Sequence, residues 1–307
     1  MKNKHYLLII FFLTIIAIVS SPNKKTTFFS NEQTITSKPT DVMVKIKNST
    51  TNNIEELNLE DYIIGVVAGE MPASFEMEAL KAQAIAARTY ALYKIKSSTT
   101  NYDLVTDISN QVYLTKEDMQ KKWSTDYEKY YNKIKEAVNS TNNLVMTYNG
   151  EVINSFYFAI SNGYTEDVTA VFGASADYLK SVESIDTNVA NFLKTINLSK
   201  TEFCQKLNIS CNTISIQDIK RNNTNHVESI TINNQTFKGT TVRSLLNLRS
   251  TDFTIEIAND VKITTKGYGH GVGMSQYGAN EMAKLNQTYP EILKHYYQNI
   301  KIEQINV

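Results

Sequence analysis

Hydrophobic and polar positions change period several times along the chain, and each change predicts an element. Tyr6 to Val19 is an unbroken apolar run behind Lys2 and Lys4. A basic start followed by such a run reads as a secretion signal or an uncleaved signal anchor. It falls short of the about 20 apolar residues usual for a membrane span. No small-x-small cleavage site follows, because Ala17-Ile18-Val19 ends on a β-branched residue. Residues 1–21 are therefore expected to be an uncleaved anchor, with Lys2 and Lys4 on the inner side and the rest of the chain outside the cytoplasm. Lys24 and Lys25 on the far side pull against that orientation. Pro22 to Thr40 is rich in Ser, Thr, Asn and Lys with no sustained hydrophobic period, and residues 22–41 read as a tether.

Val42 to Lys47 alternates with period two, a half-buried strand. The pattern Leu80, Ala84, Ala87, Ala91 then predicts a helix over Ser74 to Lys96, with Ser74 as N-cap and Glu76 and Glu78 in its first turn. Its many alanines imply close backbone packing. Lys116 to Ser140 is polar with Trp123, Tyr127, Tyr130 and Ile134 on one face, a second long helix. Asn149-Gly150 predicts a hairpin turn between strands at Leu144–Tyr148 and Val152–Ala159. Further strands are expected at Val227–Ile232, Thr254–Ile257 and Val261–Thr265, and Thr288-Tyr289-Pro290-Glu291 has the form of a capping box. Helices and strands mix without a βαβ rhythm. The fold class is α+β, with mixed helices and antiparallel strands in a single catalytic domain over residues 42–307.

Composition narrows the function. Thirty-one Lys and Arg balance 31 Asp and Glu, so the formal net charge is +0 and a nucleic-acid binder with a basic footprint is excluded. Four His make no obvious metal cluster, and two Cys are too few for a disulfide-framed scaffold. Cys204 and Cys211, with six residues between them, form either a disulfide or two buried thiols, and the extracytoplasmic setting favours the bond.

Two regions concentrate candidate chemistry. Glu70 sits in Val66-Val67-Ala68-Gly69-Glu70-Met71-Pro72, a carboxylate among apolar neighbours. Desolvation there raises its pKa toward that of a general acid; a structural anion is the plain alternative. Lys81 and Arg88 lie seven residues apart on one helix face, placed to orient Glu70, to grip an anionic or hydroxyl-rich ligand, or simply to meet solvent. The second region runs from Gly267 to Ala279, with five Gly in the twelve residues from Gly267 to Gly278. These glycines let the backbone approach a ligand closely, with His270, Ser275 and Gln276 as polar groups. Phosphate-loop, dinucleotide and zinc signatures are missing from it. Ser161-Asn162-Gly163 is a polar loop, and Tyr178 and Lys180 share a face if their segment is extended.

Together these stretches resemble the SpoIID/LytB family of peptidoglycan lytic transglycosylases. The resemblance is carried by residues 59–72 (LEDYIIGVVAGEMP), 78–91 (EALKAQAIAARTYA) and 269–279 (GHGVGMSQYGA), with weaker echoes at 110–113, 161–163 and 177–182. It implies cleavage of glycan strands during forespore engulfment, by a membrane-anchored protein whose catalytic domain lies on the mother-cell side of the septal space. It implies no nucleic-acid partner, but a SpoIIP-type amidase that first strips stem peptides, and other engulfment proteins. Glu70 matches the family's acid/base. Lys81, Arg88, Tyr178 and Lys180 match positions associated with activity, and Ser161, His270, Ser275 and Gln276 are the expected substrate contacts. Some relatives bind zinc through Cys and His before the Gln-x-Tyr motif; Thr106 to Asn110 has neither, so no metal and no cofactor are expected. The alternative of a different class is a glycan-binding activator of an amidase.

Overall fold

A computed structural model describes residues 42–305, within the compact unit Lys38–Val307. The expected anchor (1–21) and tether (22–41) lie outside the described residues. No helix among the described residues is long and apolar enough to cross a membrane.

The architecture is α+β. β1 (Met43–Lys47) pairs antiparallel with β2 (Ile54–Asn58), which runs directly into α1 (Leu59–Glu70). Asn58 caps this helix by accepting from Glu60 N, and Glu60 and Asp61 occupy its first turn. Every residue from Tyr62 to Ala68 is buried. That all-round burial hid α1 from periodicity, because a helix enclosed on every side carries no amphipathic stripe. α2 (Met77–Ser97) is the central helix and packs against most of its neighbours. Its cap departs from expectation: Glu76 holds the N-cap position, and Asn280 Oδ1 accepts from Glu76 N at 2.8 Å. A partner remote in the chain thus takes the place of Ser74.

After β3 (Leu104–Val105), the single helix expected over 116–140 is two, α3 (Lys116–Trp123) and α4 (Tyr127–Asn139), joined by a 3-10 turn at Ser124–Asp126. The break is at Ser124, whose φ of 47° no helix accommodates. β4 (Leu144–Tyr148) and β5 (Glu151–Val152) form the expected hairpin, with Asn149 and Gly150 at φ 52° and 83°. The second strand does not continue to Ala159. It ends early, and β6 (Tyr157–Phe158) pairs in parallel with β13 (Met274–Ser275). α5 (Val168–Phe172) follows.

A second lobe is inserted here, an organisation not expected from the sequence. β7 (Leu193–Leu198) leaves the first lobe and β12 (Val261–Lys266) returns antiparallel beside it, with β11 (Phe253–Ile257) on the outer side. Gly267 N donates to Phe192 O at 2.8 Å, closing the stem. Between them lie α6 (Lys200–Leu207), the sheet of β8 (Ile216–Arg221), β9 (Val227–Ile232) and β10 (Gln235–Lys238), and α7 (Gly239–Leu245). Phe203, Val227, Ile230, Val242, Phe253 and Ile263 form a core separate from that around α2. Cys204 and Cys211 are disulfide-bonded with Cα atoms 5.7 Å apart, stapling α6 to the following loop. The chain then returns to the first lobe with α8 (Gln276–Lys284), α9 (Tyr289–Tyr296) and β14 (Lys301–Gln304), which adds to β4. At α9 the capping box forms as expected, Thr288 N donating to Glu291 Oε2 at 2.7 Å.

Candidate active site

Glu70 is the last residue of α1, held there because Pro72 cannot extend the helix. Its carboxylate accepts from Val112 N at 2.7 Å through Oε1 and from Gln276 Nε2 at 3.3 Å through Oε2. The first bond depends on Gly69: a Cβ there would stand 2.5 Å from Val112 O, so only glycine lets this segment lie against the helix end. The second brings together two motifs 206 residues apart. Burial pushes the Glu70 pKa up to about 6, while the hydrogen bonds from Val112 and Gln276 hold it down. Burial first, and then the Glu70 charge, keep Tyr62 and Tyr157 protonated.

Glu70 opens onto a cleft of about 400 Å3 lined from the first lobe by Met71, Pro72, Lys122 and Tyr277, and on the far side by Asn191, Arg249 and Tyr268. Among the described residues no other carboxylate lines this cleft. Lys122 donates to Ala68 O at 2.9 Å, and burial lowers its pKa. The Arg249 guanidinium lies 4.3 Å from the centroid of the Tyr268 ring.

Of the expected contacts, only Gln276 touches Glu70. Ser161 and Ser275 act one step back. Asp186, fully buried, accepts from Ser161 N at 2.8 Å, Ser184 Oγ at 2.8 Å, Ser275 Oγ at 2.6 Å and also Ser161 Oγ. Ser275 caps α8 by accepting from Gly278 N, and Gln276 is the first residue of that helix. The two serines therefore hold the start of α8 and do not face a ligand.

The other expected residues lie away from the cleft lining. Arg88 is 0% exposed and pairs bidentately with Glu60, Nε to Oε1 at 2.7 Å and Nη2 to Oε2 at 2.6 Å, while Nη1 donates to Leu144 O at 3.1 Å. It ties α2 to the start of α1 and to β4, out of a ligand's reach. Lys81 pairs with Glu78 at 2.8 Å, and Glu78 accepts from Tyr289 N at the base of α9, remote from the cleft lining. Tyr178 lies in a turn, not a strand; its hydroxyl accepts from Asn154 N, and Lys180 pairs with Asp167 at 3.3 Å. His270 lies among Phe156, Phe158 and Phe172 in a separate cavity of about 190 Å3, and its Nδ1 accepts from Val272 N. Burial, and then the charge of Arg243, lower its pKa to about 4, so the ring is neutral. The glycine run approaches protein and not a ligand: Gly273 has φ 77°, and a Cβ there would overlap Phe156 O. In the Ser161-Asn162-Gly163 loop the left-handed residue is Gly163, not Asn162.

The other acidic groups of the motifs are equally remote from the cleft lining. Asp61 begins α1, nine residues before Glu70 and so about 13 Å along the axis. Asp167 caps α5. Glu166, also buried, joins the lobes: its carboxylate meets His226 Nδ1 at 2.9 Å, Asn222 Nδ2 at 2.7 Å and Thr224 Oγ1. Among the described residues no group of three or more His, Cys, Asp and Glu side chains is placed to hold a metal ion.

Sequence reasoning missed Lys122, Asn191, Arg249, Tyr268, Asp186 and the Val112 N–H. Tyr268 and Val112 fell inside quoted motifs, whereas Lys122 and Arg249 sit in ordinary polar contexts that offered no signal.

Comparison with known proteins gives the family. The family model described as "SpoIID: Stage II sporulation protein" matches residues 47–148. Stage II sporulation protein D of Bacillus subtilis (strain 168) is 41% identical over 278 residues, spanning 88% of this chain and 81% of the relative. The protein of that name from Bacillus amyloliquefaciens is 40% identical over 279 residues, with the same coverage. An amidase enhancer of Bacillus subtilis is 29% identical over 293 residues, spanning 76% of this chain and 39% of the relative.

Proposed function

Because the chain belongs to the SpoIID family of sporulation proteins, we propose that it is a lytic transglycosylase cleaving peptidoglycan glycan strands during forespore engulfment. The observation that carries this reading is a lone carboxylate with a pKa near its working pH: Glu70, pushed up to about 6, is the single acid lining the cleft among the described residues. Glycoside hydrolysis ordinarily takes two carboxyl groups, one for the leaving oxygen and one to form a glycosyl intermediate or activate water. A lone carboxyl suits a reaction in which the substrate supplies its own nucleophile. Protonated Glu70 donates to the oxygen linking N-acetylmuramic acid to N-acetylglucosamine, and the C1–O bond breaks. The resulting carboxylate takes the proton of the muramic 6-hydroxyl as O6 closes on C1. A 1,6-anhydro ring forms, Glu70 is protonated again, and no water is consumed. Gln276 and Val112 N–H hold the carboxylate in place through both steps.

The preferred substrate is a peptide-stripped strand, supplied by an SpoIIP-type amidase working with other engulfment proteins. The protein acts outside the cytoplasm, on the mother-cell side of the septum, tethered to the membrane by residues 1–21. The likeness to an amidase enhancer favours a second reading, a glycan-binding activator of an amidase without cleavage of its own. Wild type and Glu70→Gln are incubated with peptide-stripped and peptide-bearing strands, and mass spectrometry reads the product ends. Anhydromuramic ends, one water lighter than reducing ends and absent with the variant, support the transglycosylase. Reducing ends indicate a hydrolase. No cleavage, with amidase stimulation intact in Glu70→Gln, supports the activator.

A further inference from the structure

Part of the cleft that Glu70 lines is built by residues around the stem of the second lobe, Asn191, Arg249 and Tyr268. Arg249 follows α7, at the end of the second lobe's core. Its guanidinium lies over the Tyr268 ring, and Nη1 donates to Asn191 O at 3.0 Å. Its Nε is buried without a hydrogen-bond partner, and among the described residues Nη2 has none either. Arg88 and Arg221 are each paired with a carboxylate, Glu60 and Asp252, whereas among the described residues Arg249, like Arg243, has no acidic partner. A partly buried guanidinium held over a ring and by one carbonyl leaves the Nη2 side of its donors uncommitted, and that edge suits a carboxylate. Lys122 adds a second cation on the first lobe's side, though its ammonium is already spent on Ala68 O. When Glu70 is protonated for its acid step, the cleft therefore holds two cations and no anion. Tyr268, 49% exposed, offers the apolar side of a sugar ring a surface next to that edge.

Resting on the glycan-cleaving reading above, we propose that Arg249, braced by Tyr268, is a specificity-determining residue that reads a free carboxylate carried by the sugar in the cleft. In a peptidoglycan strand that carboxylate has two sources. One is the lactyl group of N-acetylmuramic acid, which is an anion only after the stem peptide is removed and an uncharged amide before. The other is the acidic residues of the stem peptide itself. Arg249 is directed at the lactyl group, because it lines the same cleft of about 400 Å3 as Glu70, the group that acts on the sugar. The preference for stripped strands then follows from charge recognition as well as from room.

The test measures binding with the full chain carrying Glu70→Gln, so that strands stay intact, alone and combined with Arg249→Gln or Arg249→Lys. Three ligands are compared: stripped strands, stripped strands whose lactyl carboxylates have been converted to methylamides, and peptide-bearing strands. The parent is expected to bind free-carboxylate strands at least about tenfold more tightly than amidated ones, as a charge-assisted contact gives. Arg249→Gln is expected to bind free-carboxylate and amidated stripped strands alike while keeping the parent's affinity for amidated strands, which shows that it is folded. Arg249→Lys is expected to regain part of the discrimination. Equal binding of free and amidated strands by the parent overturns the proposal, and so does discrimination that survives Arg249→Gln, which would make Lys122 the reader. Tight binding of peptide-bearing strands that is lost in Arg249→Gln moves recognition to the stem peptide and overturns the lactyl assignment. Failure of the carboxylate proposal leaves anhydromuramic products from the Glu70-intact chain untouched. If that chain neither binds nor cleaves any strand, the glycan reading itself fails and this inference falls with it.

Discussion

Replacing Glu70 by Gln should abolish cleavage and at the same time make the protein more stable near neutral pH. The carboxyl ionises at about 6 in the folded protein against an ordinary value of 4.5, because burial outweighs the hydrogen bonds from Val112 and Gln276. A raised carboxyl pKa means that the folded state holds its proton more tightly than the unfolded state. The associated stability is fully present below pH 4.5 and is lost as pH rises through about 6. At about 1.4 kcal/mol per pH unit, the gap between the two values makes the ionised side chain cost about 2 kcal/mol at pH 7.5. Gln is nearly isosteric, its Oε1 still accepts from Val112 N, and the Gln276 amide turns to present its oxygen. The variant should therefore unfold at higher urea than wild type at pH 7.5, by up to about 2 kcal/mol. At pH 4.0 the two should coincide. Urea titrations of both proteins at the two pH values, followed by circular dichroism, read this difference of differences. An equal loss of stability at both pH values would refute the reasoning, for it would mean that the carboxylate is a structural anion held by its neighbours and not a desolvated acid.

Three further outcomes follow from the same contacts. Gln276→Leu removes a donor that favours the ionised form, so the alkaline limb of the kcat/KM profile should move up by about half a pH unit, as initial rates across pH 5 to 9 would record (a range set by the pKa of about 6). Asp186→Ala strands three buried hydroxyls and the Ser161 N–H, and should destabilise by at least about 3 kcal/mol in urea titration, with Asp186→Asn recovering part of it. Arg88→Lys loses the bidentate grip on Glu60, costing roughly 3 kcal/mol; because Arg88 is out of the cleft, KM on stripped strands should be unchanged in the folded fraction.

Elements that advertise themselves locally were legible. The Asn149-Gly150 turn, the strand Val227–Ile232 and the capping box at Thr288 each depend on neighbours a few residues away, and each is where the pattern puts it. α1 was not legible, since burial on all sides erases the stripe that marks a helix, and neither was the break at Ser124, which depends on a backbone angle and not on residue type. Lys81 and Arg88 belong to the motif that follows Glu70's but not to its site. Helix geometry places them on one face, but their partners, Glu78 and Glu60, are chosen by what packs there.

By itself the sequence determined the α+β class, the family through its three long motifs, and Glu70 as a carboxylate forced into apolar company by the residues beside it. Tertiary structure alone decided what surrounds that carboxylate. The Val112 N–H carries no side-chain signature, Gln276 lies 206 residues away, and Arg249 arrives on an inserted lobe whose stem closes between Phe192 and Gly267. Desolvation and hydrogen bonding act over a few ångströms of space, and the chain brings those groups within that range only after both cores have formed.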